Sequence, residues 1–202
     1  MKAIVKRELD RRIEDKVAGG IVENNVSHNA SITMGDMYPV LPPVPPGTAY
    51  NQRTGDKVRP KSLIFDASIS FNDYGQGYVP EPLYVKVWVL QHKGTRTYPL
   101  GNVPILNLLD AGAGSTLWDG STMNSLFPVN KDEFQVLGQR TFMLCDHTAE
   151  EGVHMAKRIQ IKVRGLPKTL YYDSAGAPNY PTNFAPFVVL GWARSDGTTP
   201  IS

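Results

Sequence analysis

Apolar and polar residues alternate along several separate stretches of the chain. KSLIFDASISF (61–71) sets Leu63, Phe65, Ala67, Ile69 and Phe71 on one face, with Ser62, Asp66, Ser68 and Ser70 mainly on the other. That period of two predicts a half-buried strand. LYVKVWVLQH (83–92) aligns Leu83, Val85, Val87 and Val89 against Tyr84, Lys86, Trp88 and Leu90. Its second face is also apolar, so part of it needs a cover from a loop, a terminal segment or another subunit. DEFQVLGQRTFML predicts one long strand bent at Gly138, or two short ones around it. RIQIKVRG turns Ile159, Ile161 and Val163 one way and Arg158, Gln160, Lys162 and Arg164 the other. TLYYDS predicts a short strand, and APFVVLGWARSDG a late, buried one. IVENNVSHNASITM (21–34) reads as an edge strand.

The connections are as informative as the strands. Pro39, Pro42, Pro43, Pro45 and Pro46 make residues 35–50 an extended segment, because proline lacks an N–H and fixes φ. Such a segment braces its own subunit or a neighbour without offering a sheet edge for aggregation. The turn-rich stretch 110–130 contains DAGAGST and WDGSTMNS and reads as a surface or interface loop. Gly112 and Gly114 lack the strand-to-helix setting and the following lysine of a phosphate cradle. In residues 1–20, Val5, Leu9, Ile13 and Val17 recur every fourth position among charges and predict a short N-terminal helix ending near Gly19 and Gly20. Several nonlocal strands without alternating long helices predict an all-β domain, two antiparallel sheets packed as a sandwich.

Composition narrows the function. The chain has 202 residues, 18 Gly and 16 Pro, which suits one turn-rich domain over 1–202. Cys145 is the only cysteine, so an intrachain disulfide framework is excluded; within FMLC it reads as a buried thiol. No apolar run reaches the ~18 residues of a membrane span, so no membrane insertion is expected. Formal net charge is +2. Residues 1–17 hold six basic and four acidic side chains, which leaves the remainder formally neutral. DHTAEEGVH gathers Asp146, His147, Glu150, Glu151 and His154, yet without metal-ligand spacing, and no Gly-x-Ser-x-Gly elbow is present. An enzyme is not expected, and no cofactor is implied.

TGDKVRPKSL, LYVKVWVLQHKG, FPVNKDEFQVLGQRTFML and VVLGWARSDG, taken in order, resemble the capsid proteins of small circular single-stranded DNA viruses, circovirus-like ones in particular. The resemblance spans about residues 50–195. It implies a single jelly roll of eight antiparallel strands in two packed sheets with long connecting loops. It further implies sixty copies assembled into a small icosahedral shell around circular single-stranded DNA, found in the virion and, during assembly, in the host nucleus. By position, 60–71, 83–91, 133–145, 158–165 and 186–194 correspond to framework strands. The long basic arm with which such proteins begin has no counterpart in residues 1–20, where KR and RR are mixed with acids. Strong nucleic-acid binding is therefore not carried over intact.

Candidate contacts follow. Lys6, Arg7, Arg11, Arg12, Arg158, Lys162 and Arg164 are the expected phosphate contacts, made without base reading. Trp118, Phe127, Tyr171, Tyr172, Tyr180 and Phe184, in or beside turn-rich segments, are the expected subunit-interface anchors. The alternative is a non-capsid jelly-roll module that binds carbohydrate or protein, monomeric or in a small oligomer.

Overall fold

A computed structural model describes residues 16–20, 31–70, 82–144, 156–173 and 179–194. Residues 1–15 of the expected N-terminal helix, Phe71, Cys145 and the polar segment 146–154 lie outside these residues, as does nearly all of the proposed edge strand at 21–34, while residues 16–20 are irregular. Among the described residues ten strands form in chain order: β1 (Tyr38–Pro39), β2 (Lys57–Val58), β3 (Ile64–Ser70), β4 (Leu83–His92), β5 (Leu109–Asp110), β6 (Ser115–Thr116), β7 (Phe134–Leu144), β8 (Ala156–Lys162), β9 (Leu170–Tyr171) and β10 (Phe187–Arg194).

The expected eight-stranded jelly roll of two packed sheets is not what forms. One four-stranded sheet runs in the order β1-β10-β4-β7, and β3–β8, β2–β9 and β5–β6 are separate two-stranded pairs. All of these pairings are antiparallel. The reason lies in the connections. β1 stops at Pro39, where a run of prolines begins that cannot donate ladder bonds. The stretch after β4 folds into loops, two 3-10 turns and the two-residue strands β5 and β6 rather than into long strands. The five long strands themselves fall where alternation places them. Between Val89 and Leu90 the β4–β7 register shifts, so that Val89 faces Gly138 and Leu90 faces Val136. The bend expected at Gly138 is thus a β-bulge with Leu137 as the extra residue.

The four-stranded sheet is buried on both faces over much of its length. Val85, Val87 and Val89 face a core shared with Leu137, Ile159, Ile161, Val163, Leu170 and Val188, with Phe65 and Ala67 packed against it. The β3–β8 ribbon is the cover on this side. Trp88 and Leu90, on the opposite face, join Phe134, Phe187, Val103, Ile105, Leu108, Leu109 and Trp118. That cover is built from loops, which answers the doubly apolar pattern of β4. Trp88, Val89 and Leu90 have no exposed surface, and burying each such side chain contributes about 1.5–3 kcal/mol.

The loop cover is held at one decisive contact. Trp118 meets Trp88 edge to face, with ring centroids 5.3 Å apart. Its indole N–H donates to the Trp192 carbonyl at 3.3 Å. A Cβ on Gly191 would stand 2.7–2.9 Å from the Trp118 ring, so only glycine in β10 lets the indole lie on the sheet. The Tyr98 hydroxyl, from the same cover, donates to the Pro186 carbonyl at the start of β10. Burial raises the Tyr98 pKa well above that of an ordinary phenol.

Candidate nucleic-acid interface

The β3–β8 ribbon turns its inner face to the core and its outer face away from it. Outward are Ile64, Asp66, Ser68 and Ser70 from β3 and Arg158, Gln160 and Lys162 from β8; Phe65, Ile159 and Ile161 point in. The pairing sets Lys162 opposite Ile64 and Gln160 opposite Asp66. Beyond β8, the Val163 N–H donates to the Leu63 carbonyl at 2.9 Å, and the Arg164 N–H to the Leu137 carbonyl at 2.8 Å. Those bonds hold the chain where Arg164 is exposed.

The short β2–β9 pair continues the same two chain segments, with Lys57 opposite Tyr171 and Val58 opposite Leu170. Val58 and Leu170 belong to the same core as Phe65 and Ile161. Because both pairs turn their inner faces to one core, their outer faces look away from it together. Over residues 57–64 and 156–172 the sequence carries Lys57, Arg59, Lys61, Lys157, Arg158, Lys162, Arg164 and Lys168 and no Asp or Glu. All eight are exposed.

Local partners divide them. Arg158 clasps Asp66 with two bonds, Nε to Oδ1 at 3.0 Å and Nη2 to Oδ2 at 2.6 Å. Hydrogen bonding from Arg158 holds the Asp66 carboxyl below its usual pKa. The Lys157 ammonium sits 5.5 Å from the Phe142 ring centroid. Lys57, Arg59, Lys162, Arg164 and Lys168 have no carboxylate within salt-bridge distance among the described residues. A formally near-neutral chain thus carries a segregated basic face. Such a face attracts phosphate-rich polymers through counterion release, without reading sequence.

A buried arginine anchors the far end of the ribbon. Arg53 is 3% exposed and lies 4.5 Å from the Tyr172 ring centroid. Its Nη1 donates to the Gly55 carbonyl at 2.5 Å and to Asp56 Oδ1 at 3.0 Å. The Tyr172 N–H donates to the Asp56 carbonyl at 2.9 Å. Burial raises the Tyr172 pKa, with the nearby Arg53 charge opposing that shift. Strand alternation then sends Tyr172 inward and leaves Tyr171 exposed beside Lys57.

Of the seven expected phosphate contacts, Arg158, Lys162 and Arg164 share the ribbon face, with Arg158 already paired; Lys6, Arg7, Arg11 and Arg12 lie outside the described residues. Lys57, Arg59, Lys61 and Lys168 are exposed along the adjoining segments and were not among the seven, although KVRPK and VRGLPK, basic stretches without an acid, mark them in the sequence. The six expected interface aromatics do not form one surface. Trp118, Tyr172 and Phe184 are 1%, 6% and 5% exposed. They are spent inside the subunit and have little surface to offer a neighbour. Phe127 packs against the loop-side core. Tyr180 is half-buried and meets Tyr98 at 4.9 Å. Tyr171 alone of the six is exposed, at 47%.

Among the described residues, no group of three or more His, Cys, Asp or Glu is placed to hold a metal ion. His92 serves a turn: its Nδ1 accepts the Thr95 N–H at 2.9 Å and its Nε2 faces Glu133 at 3.2 Å. No helix among the described residues is long and apolar enough to cross a membrane. No protein-family model matches the chain, and no curated protein matches it. The resemblance to circovirus-like capsid proteins therefore rests on the order and character of its own segments.

Proposed function

We propose that this protein is a non-catalytic structural coat subunit that associates with further copies of itself and encloses single-stranded DNA. The observation that carries the reading is the exposed basic stretch along and beside the ribbon, where Lys57, Arg59, Lys162, Arg164 and Lys168 have no carboxylate within salt-bridge distance among the described residues of a chain of net charge +2. Such a face suits neutralisation of a phosphate backbone. The sixty-copy icosahedral geometry was tied to the eight-stranded jelly roll and is not carried forward with it.

Association would draw on apolar surface that the subunit leaves uncovered. Tyr84 and Met143 are cross-strand neighbours and are 37% and 47% exposed. Leu126, in the loop expected to make interface contacts, is 73% exposed. A neighbouring copy covering such positions would bury apolar area now facing water.

Size-exclusion chromatography with multi-angle light scattering, followed by negative-stain microscopy, tests the reading. Particles of many subunit masses with a nucleic-acid-like ultraviolet ratio are expected. A monomer at every salt concentration and pH, without particles, contradicts it and favours a carbohydrate- or protein-binding module.

A further inference from the structure

We propose that Tyr171 is a base-stacking platform, so that the ribbon face selects single-stranded nucleic acid over other polyanions. The inference rests on the reading of that face as a nucleic-acid contact and adds to it a residue that distinguishes bases from charge. Basic side chains alone cannot do so, because phosphate, sulfate and carboxylate polymers all satisfy them. An exposed aromatic ring beside them can, since every unpaired base has a π-face to offer.

The ring is presented on a fixed backbone. The Tyr171 N–H donates to Asn183 Oδ1 at 3.0 Å, and its carbonyl accepts from the Thr182 N–H at 2.7 Å. Asn183 is itself held, its Nδ2 donating to the Thr169 carbonyl at 2.9 Å. The neighbouring Tyr172 is buried under Arg53, so strand alternation commits Tyr171 to the outside. The Lys57 ammonium lies 5.9 Å from the Tyr171 ring centroid. A phosphate drawn to Lys57 would bring the attached nucleoside beside the ring. From there the connecting segments lead past Arg59 and Lys168 toward Arg164 and Lys162. Double-stranded DNA, whose bases already stack on one another, gains nothing from this ring. A sulfated polysaccharide has no base to place there.

The test measures fluorescence anisotropy of labelled oligo(dT), an abasic oligodeoxynucleotide of equal length, duplex DNA and heparin as competitor, on the full chain. Tyr171→Ala is expected to weaken oligo(dT) binding about tenfold, with abasic and heparin binding unchanged. Tyr171→Phe, which keeps the ring, is expected to bind as the unsubstituted protein does, and circular dichroism checks that each variant is folded. Equal binding of oligo(dT) and the abasic chain by the unsubstituted protein overturns the proposal while leaving a polyanion-binding face in place. Failure of every nucleic acid to bind overturns the coat reading as well.

Discussion

The two covers of the four-stranded sheet are built on different principles. On one side the β3–β8 ribbon lies over valines with regular alternation, apolar inward and polar outward. On the other, loops and 3-10 turns carry isolated large side chains, Trp118 above all, down onto Trp88 and Gly191. The ribbon has a second face to spare because a strand commits only every other residue to the core. Its outward residues are free to carry charge. The loop cover uses Trp118 and Phe127 for packing, which is why these two anchors expected at a subunit surface are found within the fold. On this comparison the proposed nucleic-acid face lies on the regular layer, while the irregular layer commits its large side chains to packing.

The largest effect should come from the loop side. Trp118→Ala removes a 1%-exposed indole and is expected to cost about 3–5 kcal/mol, measured by urea unfolding. Oligo(dT) affinity under folding conditions should change little. Next is the seat of the ribbon. A Cβ on Gly138 would approach Ile161 Cγ2 to 2.4 Å, so Gly138→Ala should push β8 off β7 and cost about 1–3 kcal/mol. Here affinity should fall together with stability, because the basic face rides on β8.

The smallest effect on stability is at the outer face. Asp66→Asn frees Arg158, whose guanidinium is then unpaired among the described residues. Binding to oligo(dT) should tighten, with a steeper salt dependence. The pH dependence has a definite sign. Pairing with Arg158 lowers the folded-state pKa of Asp66, so its contribution is present at neutral pH and is lost as pH falls through that lowered value. Stability curves of the unsubstituted protein and Asp66→Asn should therefore converge in acid, below about pH 4. Curves that stay parallel there would assign the difference to something other than this carboxylate.

Legibility in the sequence followed the same division. The five long strands were visible because alternation over seven or more residues is hard to mimic, and Gly138 betrayed the bulge in β7. The sheet plan was not visible, because it depends on how little of segments 35–50 and 98–130 enters a ladder. Proline reveals that a stretch leaves a ladder, but not where the remaining strands find partners. Arg158, Lys162 and Arg164 were readable from strand parity. Lys57 showed only as part of the acid-free stretch KVRPK, because its place opposite Tyr171 arises from pairing across more than a hundred residues. Trp118 misled for a physical reason: an aromatic in a glycine-rich loop looks exposed until Gly191 supplies the place where it lies.

The central claim is that the outward ribbon face holds a phosphate backbone. The most direct test is the salt dependence of oligo(dT) binding, measured for the unsubstituted protein and for Lys57→Gln/Arg59→Gln/Lys162→Gln/Arg164→Gln. Each phosphate contact to a single strand contributes about 0.7 to the slope of log affinity against log salt. The slope should therefore fall by nearly 3 when all four contacts are removed. An unchanged slope in a folded variant would place the DNA contact elsewhere and contradict the claim.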